Sequence, residues 1–277
     1  MATLDWHGLV SIDKPIGITS HDAVAKLRRR LASPGAGHLG TLDPAASGLL
    51  VVALGAATRA VTVWQGGTKT YEATMRFGVT TASQDLDGEV LETRDAAGLS
   101  ETQVREASRA FVGALEQVPP MVSALKVGGR RLHELARRGV EVERSPRSVH
   151  VRSWEWLGFE LPEARFRIVC SGGTYVRTLA HDLGNALGCG AALAALRRTR
   201  SEPFGIDRAV SMRDLDELPV AEVLARSGVP LDQALVVLPA VTLDAAGVAA
   251  IGVGGRPAES RNTTERGPAA SGASPGS

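Results

Sequence analysis

The chain is poor in cysteine, and its charges almost cancel. Two of its 277 residues are cysteines, Cys170 and Cys189, which are too few and too widely spaced for a disulfide framework or a paired-cysteine site. Lys and Arg number 31 against 30 Asp and Glu, which gives a net charge of +1. The strongly basic total expected of many nucleic-acid-binding proteins is therefore absent. Any polyanion partner must be bound by a local patch of charge.

The sequence also lacks a membrane span and an export signal. Its longest apolar run, LLVVALGAA at 49–57, is about half as long as a membrane helix requires. The N-terminus, MATLDWHGLV, has an acid at position 5 and no basic segment ahead of a long apolar stretch. Hydrophobic residues make up 44% of the chain, which is enough for a substantial core. We expect a soluble, cytoplasmic protein with buried free thiols.

Several common catalytic patterns are missing. The glycine-rich stretches at 66–68 and 172–174 lack the Lys-Ser/Thr ending of a phosphate-binding loop. No His/Cys cluster has metal-ligand spacing, and there is no Gly-x-Ser-x-Gly elbow. Hydrolysis by two carboxylates is conceivable, with Asp85 or Asp87 joining Asp43, although nothing in the local sequence supports that pairing.

Hydrophobic periodicity predicts an α+β fold. Strands and helices are interspersed without a regular βαβ rhythm, which favours a mixed or antiparallel sheet. From about residue 254 the chain is rich in Gly, Ser, Pro and Ala, which predicts a disordered tail. The patterns predict strands at 8–17, 69–78, 148–156 and 164–170, and helices at 19–31, 100–113 and within 171–188.

One acidic residue lies in a Gly- and Thr-rich loop ahead of an apolar run, in GHLGTLDPAASGLLVVALG at 37–55. Asp43 followed by Pro is a common turn pair, because Pro fixes φ and the Asp side chain can accept bonds from nearby backbone. The alternative is a reactive carboxylate on a loop over a rigid scaffold. His38, five residues earlier, is by itself an ordinary loop histidine. The local residues leave both interpretations open.

A second polar site is Tyr175 and Arg177, at the start of a predicted helix. Helix N-termini favour anions, so an arginine there either faces solvent or has a carboxylate partner. Asp43 would suit that role.

The third site is basic. Residues 119–152 contain eight basic and three acidic residues, a local charge of +5, and KLRRR (26–30) and RRTR (197–200) are further clusters. Local patches of this kind favour docking to a phosphate backbone, although basic segments also occur for solubility alone.

Five motifs, in order, resemble the bacterial TruB family of tRNA pseudouridine synthases over about residues 8–210. The central one, GHLGTLDPAASGLLVVALGAATR, is similar to the family's catalytic GH-x-GTLDP-x-A-x-G pattern. The others are LVSIDKPIGITSHDAV, KTYEA, PPMVSALKVGGRRLHELARRG and SGGTYVRTLAHDLG…LRRTRSEPF. The resemblance outweighs the turn interpretation of Asp43.

The resemblance implies a mixed, largely antiparallel sheet core with flanking helices and a basic RNA-binding insertion. It implies isomerisation of uridine to pseudouridine, expected at position 55 in the T-loop of tRNA, without cofactor or metal. Asp43 would be the essential catalytic residue, either as nucleophile at C1′ or as base at C2′.

Other roles are carried over from the same motifs. Tyr71 would stack on the target base and later take the C5 proton, and Arg177 would pair with Asp43. Tyr175 and Leu196 would line the nucleoside pocket, and His38 would hold the flipped base. The expected RNA-binding residues are Lys14, Lys126, Arg130, Arg131, Arg137 and Arg138.

The expected domains are a catalytic domain at 1–236 with its insertion at about 119–147, a partial PUA-like segment at 237–254 and a disordered tail at 255–277. The family usually ends in a small β-barrel, and the segment at 237–257 resembles only its beginning, so we expect a truncated C-terminal domain. We expect a monomer whose partner is the tRNA T-arm. Two alternatives stay open: a non-catalytic RNA-binding protein, and the same isomerisation on another structured RNA.

Overall fold

The structure, a computed structural model, divides into two compact units, one ending at Val229 and the other beginning at Pro230. The residues that it describes are 5–123, 126–127, 130–131, 142–241, 243–252 and 263–264.

Helices and strands alternate irregularly along these residues. The helices are α1 (Ser20–Arg30), α2 (Thr62–Gln65), α3 (Glu101–Ser108), α4 (Val176–Ala186), α5 (Asp214–Glu217), α6 (Val220–Ser227), α7 (Leu231–Ala234) and α8 (Ala245–Gly252). The strands are β1 (Gly8–Lys14), β2 (Ala36–His38), β3 (Ser47–Leu54), β4 (Lys69–Phe77), β5 (Val79–Thr81), β6 (Val90–Thr93), β7 (Gly113–Gln117), β8 (Lys126–Val127), β9 (Arg130–Arg131), β10 (Arg147–Glu160), β11 (Glu163–Cys170), β12 (Ala191–Ser201), β13 (Phe204–Gly205), β14 (Val210–Ser211), β15 (Gly228–Pro230), β16 (Ala240–Val241) and β17 (Thr263–Thr264).

A large mixed sheet is the centre of the first unit. Its strand order is β14-β1-β3-β12-β4-β11-β10-β7, and β1–β14 and β3–β12 are parallel pairs within an otherwise antiparallel path. The predicted α+β class with a mixed sheet is confirmed. β3 lies between β1 and β12 and is buried from Gly48 to Leu54, which explains why its sequence is continuously apolar.

Buried and less buried side chains alternate along β4, and the buried ones show which face of the sheet packs into the core. Tyr71, Ala73, Met75 and Phe77 are all buried, as the period of two predicts. Ala73 lies opposite Phe166 of β11, and both belong to one continuous hydrophobic core. The position of Tyr71, the candidate site residue on β4, is therefore fixed by packing along the whole strand.

Two helices begin with capping boxes. The Thr19 side chain accepts from the backbone N–H of Asp22, and that Asp side chain accepts in return from the Thr19 N–H. Ser100 and Gln103 make the same reciprocal pair at the start of α3. α1 packs Ala23, Val24 and Leu27 into the core, as its spacing predicts.

The helix predicted at 100–113 is shorter in the structure. α3 ends at Ser108 and is followed by a 3₁₀ turn at Arg109–Phe111. Val112 is extended, and Gly113 has a φ of +111° as it begins β7. This left-handed backbone region is one that glycine enters readily, so Gly113 ends the helical segment where periodicity alone would continue it.

In the second unit, α7 and α8 are helical, and β16 pairs antiparallel with β17. The two residues of β17 are the described part of the tail predicted at 255–277, and the rest of that tail lies outside the described residues. Within the described ranges, no helix is both long and apolar enough to cross a membrane.

Candidate active site

A cavity of about 420 Å³ opens on the core face of the sheet. This volume lies in the range of small-molecule sites. The cavity brings together the catalytic candidate and every residue predicted to bind the substrate nucleoside: His38, Asp43, Tyr71, Tyr175, Arg177 and Leu196.

Hydrogen bonds from Ser20 and within the loop itself hold the backbone around Asp43. The Ser20 hydroxyl accepts from the Leu42 N–H at 2.8 Å and donates to the Leu42 carbonyl at 2.9 Å. The backbone of Asp43 closes a turn, since its carbonyl accepts from the N–H of Ala46 at 3.0 Å. The turn interpretation therefore describes the backbone of Asp43, while its carboxylate lines the cavity and its reactivity stays a prediction.

Arg177 is the partner of this carboxylate. Its Nη2 lies 3.2 Å from Oδ2 of Asp43, so the predicted pair is confirmed. The arginine is only 3% exposed, whereas the aspartate side chain is 43% exposed. A buried guanidinium thus presents the carboxylate to the cavity, and the prediction of a solvent-facing arginine is excluded.

Two hydrogen bonds to backbone carbonyls also hold the Arg177 guanidinium in place. Nη2 also donates to the Val122 carbonyl at 2.6 Å, and Nη1 donates to the Ser83 carbonyl at 3.2 Å. Nη1 lies 3.9 Å from Oδ2 of Asp85, whose side chain is 14% exposed. Asp85 therefore joins Asp43 around one shared cation, an arrangement that local sequence did not indicate.

The surroundings of Asp43 shift the pKa of its carboxyl in both directions. Burial raises the pKa of its carboxyl above the ordinary value, and the negative charge of Asp85 raises it further. The cations Arg177 and Lys14 lower the pKa of the same group. The result is a carboxylate that is easier to protonate than one in water.

Tyr175 occupies the N-cap position of α4, where Gln117 satisfies its backbone. The Gln117 amide donates to the Tyr175 carbonyl at 3.0 Å and accepts from its N–H at 2.8 Å. The Arg177 guanidinium carbon lies 5.5 Å from the centre of the Tyr175 ring, within cation–π range. Gln117 thus ties β7 to the start of the helix that carries Arg177.

Tyr71 and His38 line the cavity from the sheet. Tyr71 is 8% exposed, and burial raises the pKa of its phenol. His38 has a buried Nδ1 without a hydrogen-bond partner among the described residues. Burial lowers the pKa of His38, and the charge of Arg198 lowers it further, so the neutral imidazole is favoured.

The residues predicted to bind RNA are only partly placed. Lys14 is fully buried, and its Nζ donates to the carbonyls of Pro15 and Ile18 at 2.8 and 2.9 Å. Direct contact of Lys14 with a phosphate is not supported by this geometry, because the ammonium holds the loop after β1. The backbones at Lys126, Arg130 and Arg131 form the β8–β9 ladder, whereas Arg137 and Arg138 lie outside the described residues.

Two basic clusters have structural partners. In KLRRR, Lys26 pairs with Asp216 at 2.6 Å, and Arg30 donates to the carbonyls of Leu215 and Leu218. This fastens α1 to α5. In RRTR, three arginines are engaged: Arg197 with Asp13, Arg198 with backbone carbonyls and Arg200 with Glu202. Part of each run is therefore engaged within the protein, and docking of a phosphate backbone by these clusters stays a prediction.

Sequence reasoning gave no role in this cavity to four side chains at or behind it, although it named Asp85 as a conceivable second carboxylate and placed Arg198 in a basic cluster. Three of them (Asp85, Lys69 and Arg198) line it, and Gln117 supports it. Lys69 donates to three carbonyls of the α2 turn, the shortest at 2.7 Å, and burial lowers its pKa to about 8. Their positions in predicted strands or loops carried no signal that distinguished them from ordinary surface charges. No cluster of His, Cys, Asp and Glu within the described residues could hold a metal ion.

Comparison with known families identifies the class. Residues 28–176 match the family model "TruB family pseudouridylate synthase (N terminal domain)", and residues 177–236 match "tRNA pseudouridylate synthase B C-terminal domain". Together the fold, the cavity carboxylate and these matches define a pseudouridine synthase. The chain belongs to the TruB family of pseudouridylate synthases.

Known proteins are similar to this chain over most of its length. The tRNA pseudouridine synthase B of Burkholderia mallei is 48% identical over 246 residues, which is 89% of this chain and 81% of that protein. That of Opitutus terrae is 47% identical over 82% of this chain and 94% of its own length. A solved Cbf5-Nop10-Gar1 complex contains a chain that is 33% identical with a TM-score of 0.68, covering 89% of this chain and 67% of that one.

Proposed function

We propose that this pseudouridine synthase isomerises uridine in tRNA, at position 55 of the T-loop, with Asp43 as the essential carboxylate. The observation that carries the proposal is the Asp43–Arg177 pair at 3.2 Å inside a cavity that also contains Tyr71. A binding protein for an anionic polymer has no use for a carboxylate that faces its ligand. An enzyme that breaks a glycosidic bond does.

The reaction exchanges one bond to the ribose for another. The C1′–N1 bond breaks, the uracil rotates, and C1′ joins C5. C5 then loses its hydrogen and N1 gains one, so no water is incorporated and nothing is oxidised or reduced. Asp43 acts either as nucleophile at C1′ or as base at the neighbouring C2′, and both roles require the ionised carboxylate.

The cavity walls would handle the free base. Tyr71 stacks on the uracil and, as the phenolate, takes the proton that leaves C5; burial disfavours the phenolate, and the charge of Arg198 favours it. Tyr175 and Leu196 line the nucleoside site, and His38 packs against the base once it has left the T-loop stack. An enzyme of this kind must extrude its target nucleotide, which suits a cavity set into the face of a sheet.

The tRNA would dock through the basic insertion. Residues 119–147 carry Lys126, Arg130, Arg131, Arg137 and Arg138, and this local charge suits recognition of a folded RNA by shape and phosphates. A near-neutral chain with one basic segment directs the RNA to that segment rather than to the whole surface.

Tritium release from a tRNA transcript labelled at uracil C5 tests the proposal, because C5 loses its hydrogen only when it becomes the glycosidic carbon. We expect one equivalent per tRNA from the natural chain. Asp43→Asn should release none while binding tRNA normally. Asp95→Asn, at an exposed loop carboxylate, is the matched control and should release a full equivalent.

Three results would contradict parts of this proposal. Full release by Asp43→Asn would remove Asp43 from the chemistry. Joint loss of release and tRNA binding would assign it a structural role. Continued release from a transcript with cytidine at position 55 would reject the site while retaining the activity.

A further inference from the structure

Arg198 is a buried cation that the proposed chemistry does not use. It lies on β12, is 2% exposed and lines the catalytic cavity. A guanidinium offers five N–H donors in a rigid plane, so burial is tolerated only where several acceptors surround it.

The guanidinium of Arg198 binds both ends of the loop that carries Asp43. Nη2 donates to the Gly40 carbonyl at 3.0 Å and Nη1 to the Thr41 carbonyl at 3.3 Å. Nε donates to the Leu49 carbonyl at 2.7 Å. The first two acceptors precede the catalytic aspartate, and the third follows it on β3. The planar guanidinium of Arg198 therefore fixes the distance between the two ends of the loop that carries Asp43.

The same residue faces Tyr71. Arg198 and Tyr71 are register partners across the β12–β4 ladder, and both residues line the cavity. The charge of Arg198 opposes the effect of burial on the pKa of the Tyr71 phenol. Arg198 thus donates to the backbone of the loop that carries Asp43 and lies opposite Tyr71 in the sheet.

A glycine allows this arrangement. Gly48 of β3 lies beside Arg198 in the parallel β3–β12 pair and has a φ of +102°. A Cβ at this position would stand 2.2 Å from the Arg198 carbonyl oxygen. Only glycine permits the approach that brings Arg198 against the loop.

We propose that Arg198 is a positioning residue that holds the Asp43 loop and the Tyr71 hydroxyl in one fixed arrangement, so that both act on the same bound uridine. The proposal rests on the proposed function. Lysine could keep the positive charge but not the planar set of donors, since one ammonium cannot reach the three carbonyls that the guanidinium spans.

Arg198→Lys tests the proposal against Arg213→Lys, the same change at an arginine side chain that is 81% exposed. Displacement of catalytic groups by about 1 Å can cost about 100-fold in rate, and we expect a loss of that order in single turnover with unchanged tRNA affinity. Deuterium at uracil C5 should slow the variant but not the natural chain, because a misplaced Tyr71 makes removal of the C5 proton rate-limiting. Arg213→Lys should match the natural chain.

An unchanged rate in Arg198→Lys would overturn the proposal. So would a loss of rate matched by a loss of tRNA affinity without an isotope effect, since that result describes a structural residue.

A second measurement tests whether Arg198 lies against Tyr71, even if Arg198→Lys does not fold. Arg177 and Arg198 are the buried arginines of the described residues, so Arg177→Lys assigns one of two slowly exchanging guanidinium signals in ¹⁵N spectra and leaves the other to Arg198. Tyr71→Phe should shift the Arg198 signal, and an unmoved signal would reject the arrangement. A natural chain that forms no pseudouridine would instead reject the proposed function, and these spectra would still report on the contact.

Discussion

Arg177 joins two carboxylates that lie on different loops: its Nη2 stands 3.2 Å from Asp43 and its Nη1 stands 3.9 Å from Asp85. The guanidinium is almost fully buried, and backbone carbonyls of Ser83 and Val122 accept its other bonds. The orientation of the Asp43 carboxylate, the proposed catalytic group, therefore depends on a fixed cation as well as on its own loop.

Replacing Arg177 by lysine should separate catalysis from binding. The shorter, single-headed ammonium cannot reach both carboxylates, so we expect a single-turnover rate about 100-fold lower. Lysine keeps the charge but leaves the Ser83 and Val122 carbonyls without their donors, which should also reduce the free energy of unfolding, by about 1 to 3 kcal/mol. Stopped reactions on tRNA and denaturant titrations measure the two effects. Arg226→Lys, at an exposed pair on α6, is the control, and equal behaviour of the two variants would contradict this role.

The rate should depend on pH through Asp43. Either proposed role needs the ionised carboxylate, and burial raises its pKa above the ordinary 3.8, so activity should fall with decreasing pH before an exposed aspartate would protonate. Asp85 also raises this pKa. Asp85→Asn should therefore move the acid limb of the single-turnover profile to lower pH. Superimposable acid limbs for the two proteins would show that a different group titrates.

Stability should depend on pH through Lys69. Burial lowers the pKa of this lysine to about 8, whereas the unfolded chain keeps the ordinary 10.5. Between these values the unfolded state binds more protons, so the free energy of unfolding rises with pH. The rise amounts to at most about 3 kcal/mol.

Denaturant unfolding of the natural chain and of Lys69→Met, from pH 8 to 10.5, measures this contribution. The stability of the natural chain relative to the variant should increase across the window. A constant difference would show that the lysine stays protonated in the folded protein.

The basic insertion should control the salt dependence of tRNA binding. Each lost phosphate contact should reduce the slope of log affinity against log salt by about one. The double substitution Arg130→Ala/Arg131→Ala should therefore reduce it by about two. Arg105→Ala/Arg109→Ala, at two ion-paired arginines near the end of α3, should leave the slope unchanged. An equal slope for both double variants would remove the insertion from the interface.

Local patterns predicted much of the fold because they depend on neighbours in sequence. The capping boxes at Thr19 and Ser100 and the buried side of β4 follow from spacings of two to four residues. The helix at 100–113 was overextended because the positive φ of Gly113 is set by the start of a strand and leaves no mark in the periodicity.

The sequence by itself determined the motifs and the mixed α+β class, and its resemblance to a known family implied the pairing of Asp43 with Arg177. Only the tertiary structure decided which charges are available to a ligand. Lys14, Lys69 and Arg198 read as ordinary cations in the chain, yet each is buried against backbone carbonyls, and Asp85 joins the site from another loop. The residue type gives the sign of each charge. The solvation and the partners of that charge depend on long-range contacts, which form only when the chain folds.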